Sequence, residues 1–179
     1  MDDNDIDLVL GTDQNELRLN SSIGHDCKYF DLDEFKDLIS GCKENFSLFN
    51  LNIRSLPNKV SELEELILDT LSNDTFKFSI ISLQEIWQIK CKNQINLEGY
   101  HPLIYKERDG RKGGGVGMYI DSKFRYETIE EFSFIREDFE SLVIKVFLDD
   151  KKFKIIVNLY RIPNSSIEIF LEWLNNLLV

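Results

Sequence analysis

Three residues stand where apolar, strand-like runs end: Asn52 in "LFNLNIRSL", Glu85 in "SIISLQEIW" and Tyr160 in "IIVNLYRIP". A chain that devotes a run of β-forming residues to presenting one carboxylate next to a tryptophan, Trp87, offers a candidate binding group. Taken alone, such a glutamate is more commonly a solvated strand end. The other chemistries open to the sequence are poorly supported. The stretch "GRKGGGVG" has glycines at neither the Walker nor the dinucleotide spacing, and a strand follows where a phosphate loop needs a helix; it reads as a tight hairpin turn. His25 and His101 lie far apart without further ligands at metal-binding spacing. Lys106, Arg108, Arg111 and Lys112 are interleaved with Glu107 and Asp109, which suits a solvated loop better than a phosphate clamp. Cys27, Cys42 and Cys91 are odd in number and lack CxxC spacing, so they read as free buried thiols.

The elements that must position the three residues follow from periodicity. "NFSLFNLNI" reads as a strand, "LPNKVSELEELILDTL" as a helix with Val60, Leu63, Ile67 and Leu71 on one stripe, and "FKFSIISLQ" as a second strand. This is a β-α-β unit. Its strands should run parallel, which puts Asn52 and Glu85 side by side at the carboxyl ends, where ligands of such sheets gather. Further on, "YHPLIYK", "GVGMYI", "RYETIEEF", "SLVIKVFL" and "FKIIVNLY" are short strands in mostly antiparallel rhythm. "SSIEIFLEWLNNLLV" closes the sequence as an amphipathic helix, capped by Ser165 or Asn164, with Ile167, Phe170, Leu171, Leu174 and Leu178 facing inward. The expected class is α/β.

The chain has 179 residues and a formal charge of −11. Twelve of its 32 acidic residues, against four basic ones, lie in residues 1–45, an acidic leader distinct from residues 46–179. Within it, residues 1–26 have little apolar periodicity, and "DLDEFKDLIS" reads as a short helix near 31–40, capped by Asp31 or Asp33, with Leu32, Phe35, Leu38 and Ile39 on one face. No basic signal segment opens the sequence and no apolar run reaches the length of a bilayer span, so an intracellular, nuclear or cytoplasmic protein is expected rather than a secreted or membrane one.

Taken in order and at these separations, "LFNLNIRSL", "SLQEIW", "GGGVGMYI" and "NLYRIP" resemble the endonuclease/exonuclease/phosphatase superfamily, and within it the apurinic-like endonuclease domain of non-LTR retrotransposons. The resemblance runs from about residue 46 to the end, with "CKYFDLDEF" similar to leaders found before such domains. It implies the N-terminal part of a four-layer α/β sandwich, two mixed β-sheets flanked by helices. It also implies a Mg2+-dependent phosphodiesterase acting on DNA, with no small-molecule cofactor. Carried over by motif, Asn52 orients the scissile phosphate and the metal network, Glu85 is the principal Mg2+ ligand, and Tyr160 points its hydroxyl at the phosphate. Trp87 and Pro163 shape the walls of the mouth. Arg54 stands where some relatives have an acid or amide.

The family continues into "GDFN" and "SDH" motifs, which activate the nucleophile and complete the site, and neither occurs in these 179 residues. The resemblance therefore implies a domain whose C-terminal part is missing, inactive by itself, with an incomplete sheet and helix faces open to association. A non-catalytic interaction protein or transposon remnant is the alternative reading; a phosphatase of the same superfamily is a third.

Overall fold

The computed structural model describes residues 30–40, 46–72, 76–91, 94–110 and 113–178. The acidic stretch 1–26, His25, Cys27, Cys42, Arg111 and Lys112 lie outside the described residues. The elements are α1 (Leu32–Ser40), β1 (Leu48–Asn52), α2 (Leu56–Glu64), β2 (Ile80–Gln84), β3 (Ile104–Lys106), β4 (Val116–Ile120), β5 (Arg125–Thr128), β6 (Phe134–Ile135), β7 (Phe139–Phe147), β8 (Phe153–Arg161) and α3 (Ile167–Leu178). Among the described residues no helix is long and apolar enough to cross a membrane.

The strands form two sheets. In the first, of order β1-β2-β4-β3, β1 and β2 run parallel, with Asn52 opposite Gln84, while β4 is antiparallel to both β2 and β3. In the second, β7 pairs with β5, β6 and β8, all antiparallel. The expectation of two mixed sheets thus holds for the first alone. The second is antiparallel because short turns join its strands, whereas the parallel pair needs the crossover through α2.

Alternation explains how the sheets stack. Ile80, Val116, Met118 and Ile120 of the first sheet meet Leu142, Ile144 and Val146 of β7 in a fully buried layer. The opposite face of the first sheet, with Ile81, Leu83 and Tyr119, packs on Leu56, Leu63, Ile67 and Leu71. The predicted stripe of α2 is therefore real, although the helix widens to a π turn over Glu65–Thr70, closed by Leu71 N–H on the Leu66 carbonyl at 2.9 Å. At the N-terminus of α1, Asp31 accepts from Glu34 N–H at 2.9 Å and Glu34 accepts from Asp31 N–H at 3.0 Å, a reciprocal capping box. Phe35 stacks on Phe78 and Ile39 is buried, but Leu32 and Leu38 are exposed, contrary to the expected four-residue face. A helix of only nine residues presents about one turn's width to the sheet.

The C-terminal helix also departs from expectation. Phe170 packs edge-on and Trp173 at a tilt against Phe139 on the outer face of β7, while Ile167 and Leu171 are exposed. The contact face is rotated toward the tryptophan because its ring, together with Phe134, covers the aromatic patch. Capping falls to Ser166, whose hydroxyl accepts from Ile169 N–H at 3.4 Å, rather than to Ser165 or Asn164. Cys91 is exposed, not a buried thiol. His101 is satisfied by the Phe124 carbonyl at 2.9 Å, as expected of a structural histidine.

Candidate functional site

At the carboxyl end of β2 the backbone leaves the sheet abruptly. Glu85 and Trp87 both adopt left-handed φ, 55° and 62°, and the segment after β1 does the same at Arg54 and Ser55, with φ of 48° and 88°. Such conformations cost roughly 1–3 kcal/mol each for residues other than glycine and gather at functional sites. Backbone bonds lash the two strand ends together: Ile53 N–H to Gln84 O at 3.0 Å, Ser55 N–H to Glu85 O at 2.8 Å and Leu56 N–H to Ile86 O at 3.0 Å.

The Glu85 side chain is turned into a ring of donors. Its Oε2 accepts from the Gly114 amide and from the Trp87 indole, each at 2.9 Å. The Tyr160 hydroxyl on β8 approaches this carboxylate closely enough to stabilise its charge. Burial pushes the Glu85 carboxyl up, but Tyr160 and the bonds from Gly114 and Trp87, with the nearby Arg108 charge, prevail and hold it below the ordinary glutamate range. It is therefore an anion at neutral pH. Burial and the nearby Glu85 carboxylate push the Tyr160 hydroxyl up to about 12, so it remains a donor throughout the physiological range.

Glu85 and Tyr160 are thus brought together across the two sheets. Asn52 is exposed at the neighbouring strand end, one register position from Glu85, and lines a groove of about 190 Å³ with Ile53, Lys59, Glu62 and Leu63. Among the described residues its side chain makes no hydrogen bond. Trp87 does more than shape a wall, since its indole N–H holds the carboxylate.

Two further features were not singled out by the sequence. Glu140 of β7 has no solvent exposure; its Oε2 accepts from the Gly115 amide at 2.6 Å and its Oε1 from Arg108 Nε. Burial pushes this carboxyl up, with Arg108 and the Gly115 amide pulling back. Arg108 is accordingly a largely buried ion-pair partner and not part of a solvated loop. The signal was available: Glu140 falls at the same alternation as Leu142, Ile144 and Val146, where a carboxylate must be paired. Asn158 of β8 is the second. It spans the sheets, accepting from Gln84 Nε2 at 2.7 Å and donating to the carbonyls of Leu83 and Gly117 at 2.9 and 3.0 Å, while Gln84 also donates to Asn50 at 2.7 Å.

The glycines of residues 113–115 form the expected turn between the antiparallel β3 and β4, with φ of 103°, 74° and 85°. They also supply the amides for both carboxylates. Among the described residues no three His, Cys, Asp or Glu side chains gather as a metal cluster. One anionic carboxylate at an accessible strand end remains a donor that a hard, hydrated cation can use. Compared with protein-family models and with curated proteins, the chain matches none.

Proposed function

We propose that residues 46–179 form the phosphate- and metal-engaging part of a Mg2+-dependent DNA phosphodiesterase of the endonuclease/exonuclease/phosphatase superfamily, of the apurinic-like kind carried by non-LTR retrotransposons. One observation carries the reading. Glu85, the Gly114 amide and Tyr160 come from three of the four motifs that suggested the family, separated by up to 75 positions, and they meet on one carboxylate. The stacked sheets, with helices packed on their outer faces, support the N-terminal part of a four-layer sandwich as the architecture.

Glu85 would hold the cation, with Asn52 beside it, and when bound the ion would polarise a phosphoryl oxygen. A small ion with its remaining waters fits a site built on one carboxylate better than a tightly caged ion would. Trp87 and Gly114 orient the carboxylate, and Tyr160 has a hydroxyl that stays protonated and can turn from Glu85 to a phosphate oxygen.

Hydrolysis needs a positioned base for its water. The nearby Glu140 is fully buried and engaged by Arg108 and Gly115, so it cannot serve. The "GDFN" and "SDH" motifs do not occur in the sequence. These residues by themselves are therefore expected to bind metal and phosphodiester without turnover. A non-catalytic binding protein is the second reading that this observation favours. Titration with Mn2+ as the probe, followed by addition of a short DNA duplex, tests the proposal. Glu85→Gln should weaken Mn2+ binding by at least about tenfold. Unchanged binding in a folded variant refutes the assignment of Glu85.

A further inference from the structure

A turn made of three consecutive glycines has no side chains with which to anchor itself. Where it lies is decided by what its amides bind and by what surrounds its backbone. Here two carboxylates, one from each sheet, hold successive amides of the same turn: Glu140 takes Gly115 N–H at 2.6 Å and Glu85 takes Gly114 N–H at 2.9 Å. Glu140 cannot drift, since it sits on a central strand and its other oxygen receives Arg108 Nε. Arg108 Nη2 is buried without a partner, so the guanidinium is seated for its contact with Glu140 and not for full hydrogen bonding of its own. The packing is close enough to exclude any side chain. A Cβ on Gly114 would collide with Glu140 Oε1 and the Arg108 guanidinium, and one on Gly115 would come within 2.8 Å of Ile86 Cγ1 and 3.1 Å of the Lys106 carbonyl.

We propose that the Arg108–Glu140 pair is the positioning device of the site: by holding Gly115 it sets where the Gly114 amide falls, and so fixes the orientation of the Glu85 carboxylate. Both are positioning residues that act through the turn. The consequence for metal binding rests on Glu85 being the functional carboxylate, whereas the mechanical link from Glu140 to Gly114 does not.

The test is amide hydrogen exchange and heteronuclear NMR on the whole chain, reading Gly114, Gly115 and the Trp87 indole N–H, with the β7 amides of Leu142 and Ile144 as reference. In Glu140→Leu, exchange at Gly114 should accelerate at least about tenfold relative to β7, and the Trp87 indole resonance should move. Glu140→Gln, which keeps an acceptor for Gly115, should fall between this variant and the parent. Paramagnetic broadening by Mn2+ at Gly114 should need several-fold more metal in the leucine variant. Should Glu140→Leu fail to fold, Arg108→Met, in the connection between β3 and β4, carries the same reading. A purely structural role predicts equal loss of protection at Gly114 and in β7; that result, or an unmoved Trp87 resonance in a folded variant, overturns the proposal. If Glu85→Gln leaves Mn2+ binding intact while the exchange results hold, the positioning link stands and the metal assignment falls.

Discussion

Replacing Asn158 by alanine should destabilise the fold far more than a polar-to-apolar change in a strand ordinarily does. The side chain makes three buried hydrogen bonds that cross from β8 to the first sheet: one from Gln84, and two to the Leu83 and Gly117 carbonyls. Gln84 keeps Asn50 as an acceptor, so its own loss is partial. At about 1 kcal/mol for each net bond, the expected cost is about 3 kcal/mol. For a chain of this size that corresponds to a fall in melting temperature of roughly 6–12 °C. Urea unfolding followed by circular dichroism measures it, and a double-mutant cycle with Gln84→Ala should return a coupling of about 1 kcal/mol between the two amides. Asn158→Leu supplies the discriminating result. Leucine fills the volume but removes the same three bonds, to both carbonyls and from Gln84, which keeps only Asn50, so it should be no more stable than alanine. Recovery of parental stability in the leucine variant, or a loss below about 1 kcal/mol in alanine, would refute the view that polar contacts tie the sheets.

Two further outcomes follow from the electrostatics and the aromatic face. Glu85 has a folded-state pKa below its unfolded value, so its ionisation stabilises the fold above the ordinary glutamate range near 4.5, and that contribution is lost as pH falls through the lowered value; Glu85→Gln should flatten this acid limb in pH-dependent urea melts. Trp173→Ala removes the ring that covers Phe134 and Phe139 and should cost about 3–5 kcal/mol, with α3 losing amide protection before β7 does.

The parts of this fold that were legible in the sequence are those governed by short-range periodicity. The α2 stripe, the parallel pairing of β1 with β2 and the glycine turn all follow from spacing alone. Where a face was decided by a distant partner, spacing failed. Phe134 and Phe139 rotate the inward face of α3 onto Trp173, and nothing within the helix records that. In the site, Glu85 and Tyr160 were visible as strand-end groups, and their meeting depends on β8 crossing over β2. Glu140 and Asn158 were hidden for a different reason. Each is a polar residue on the inward face of its strand, and only the alternation of its neighbours assigns it to the interior, where its partners come from loops and strands 25 to 75 positions away.

The Asn158 bridge also bears on how the hairpin of β7 and β8 tolerates change. Side chains alternate along a strand, so a slip of one residue would replace Tyr160 at the Glu85 carboxylate by Leu159 or Arg161. A hairpin ordinarily takes its register from its turn, here around Asp149–Lys152. Asn158 indexes β8 against the first sheet independently, two residues from the tyrosine and on the same face. Insertions or deletions at that surface turn can therefore accumulate while the tyrosine keeps its place, which separates the part of the hairpin free to drift from the part that is not.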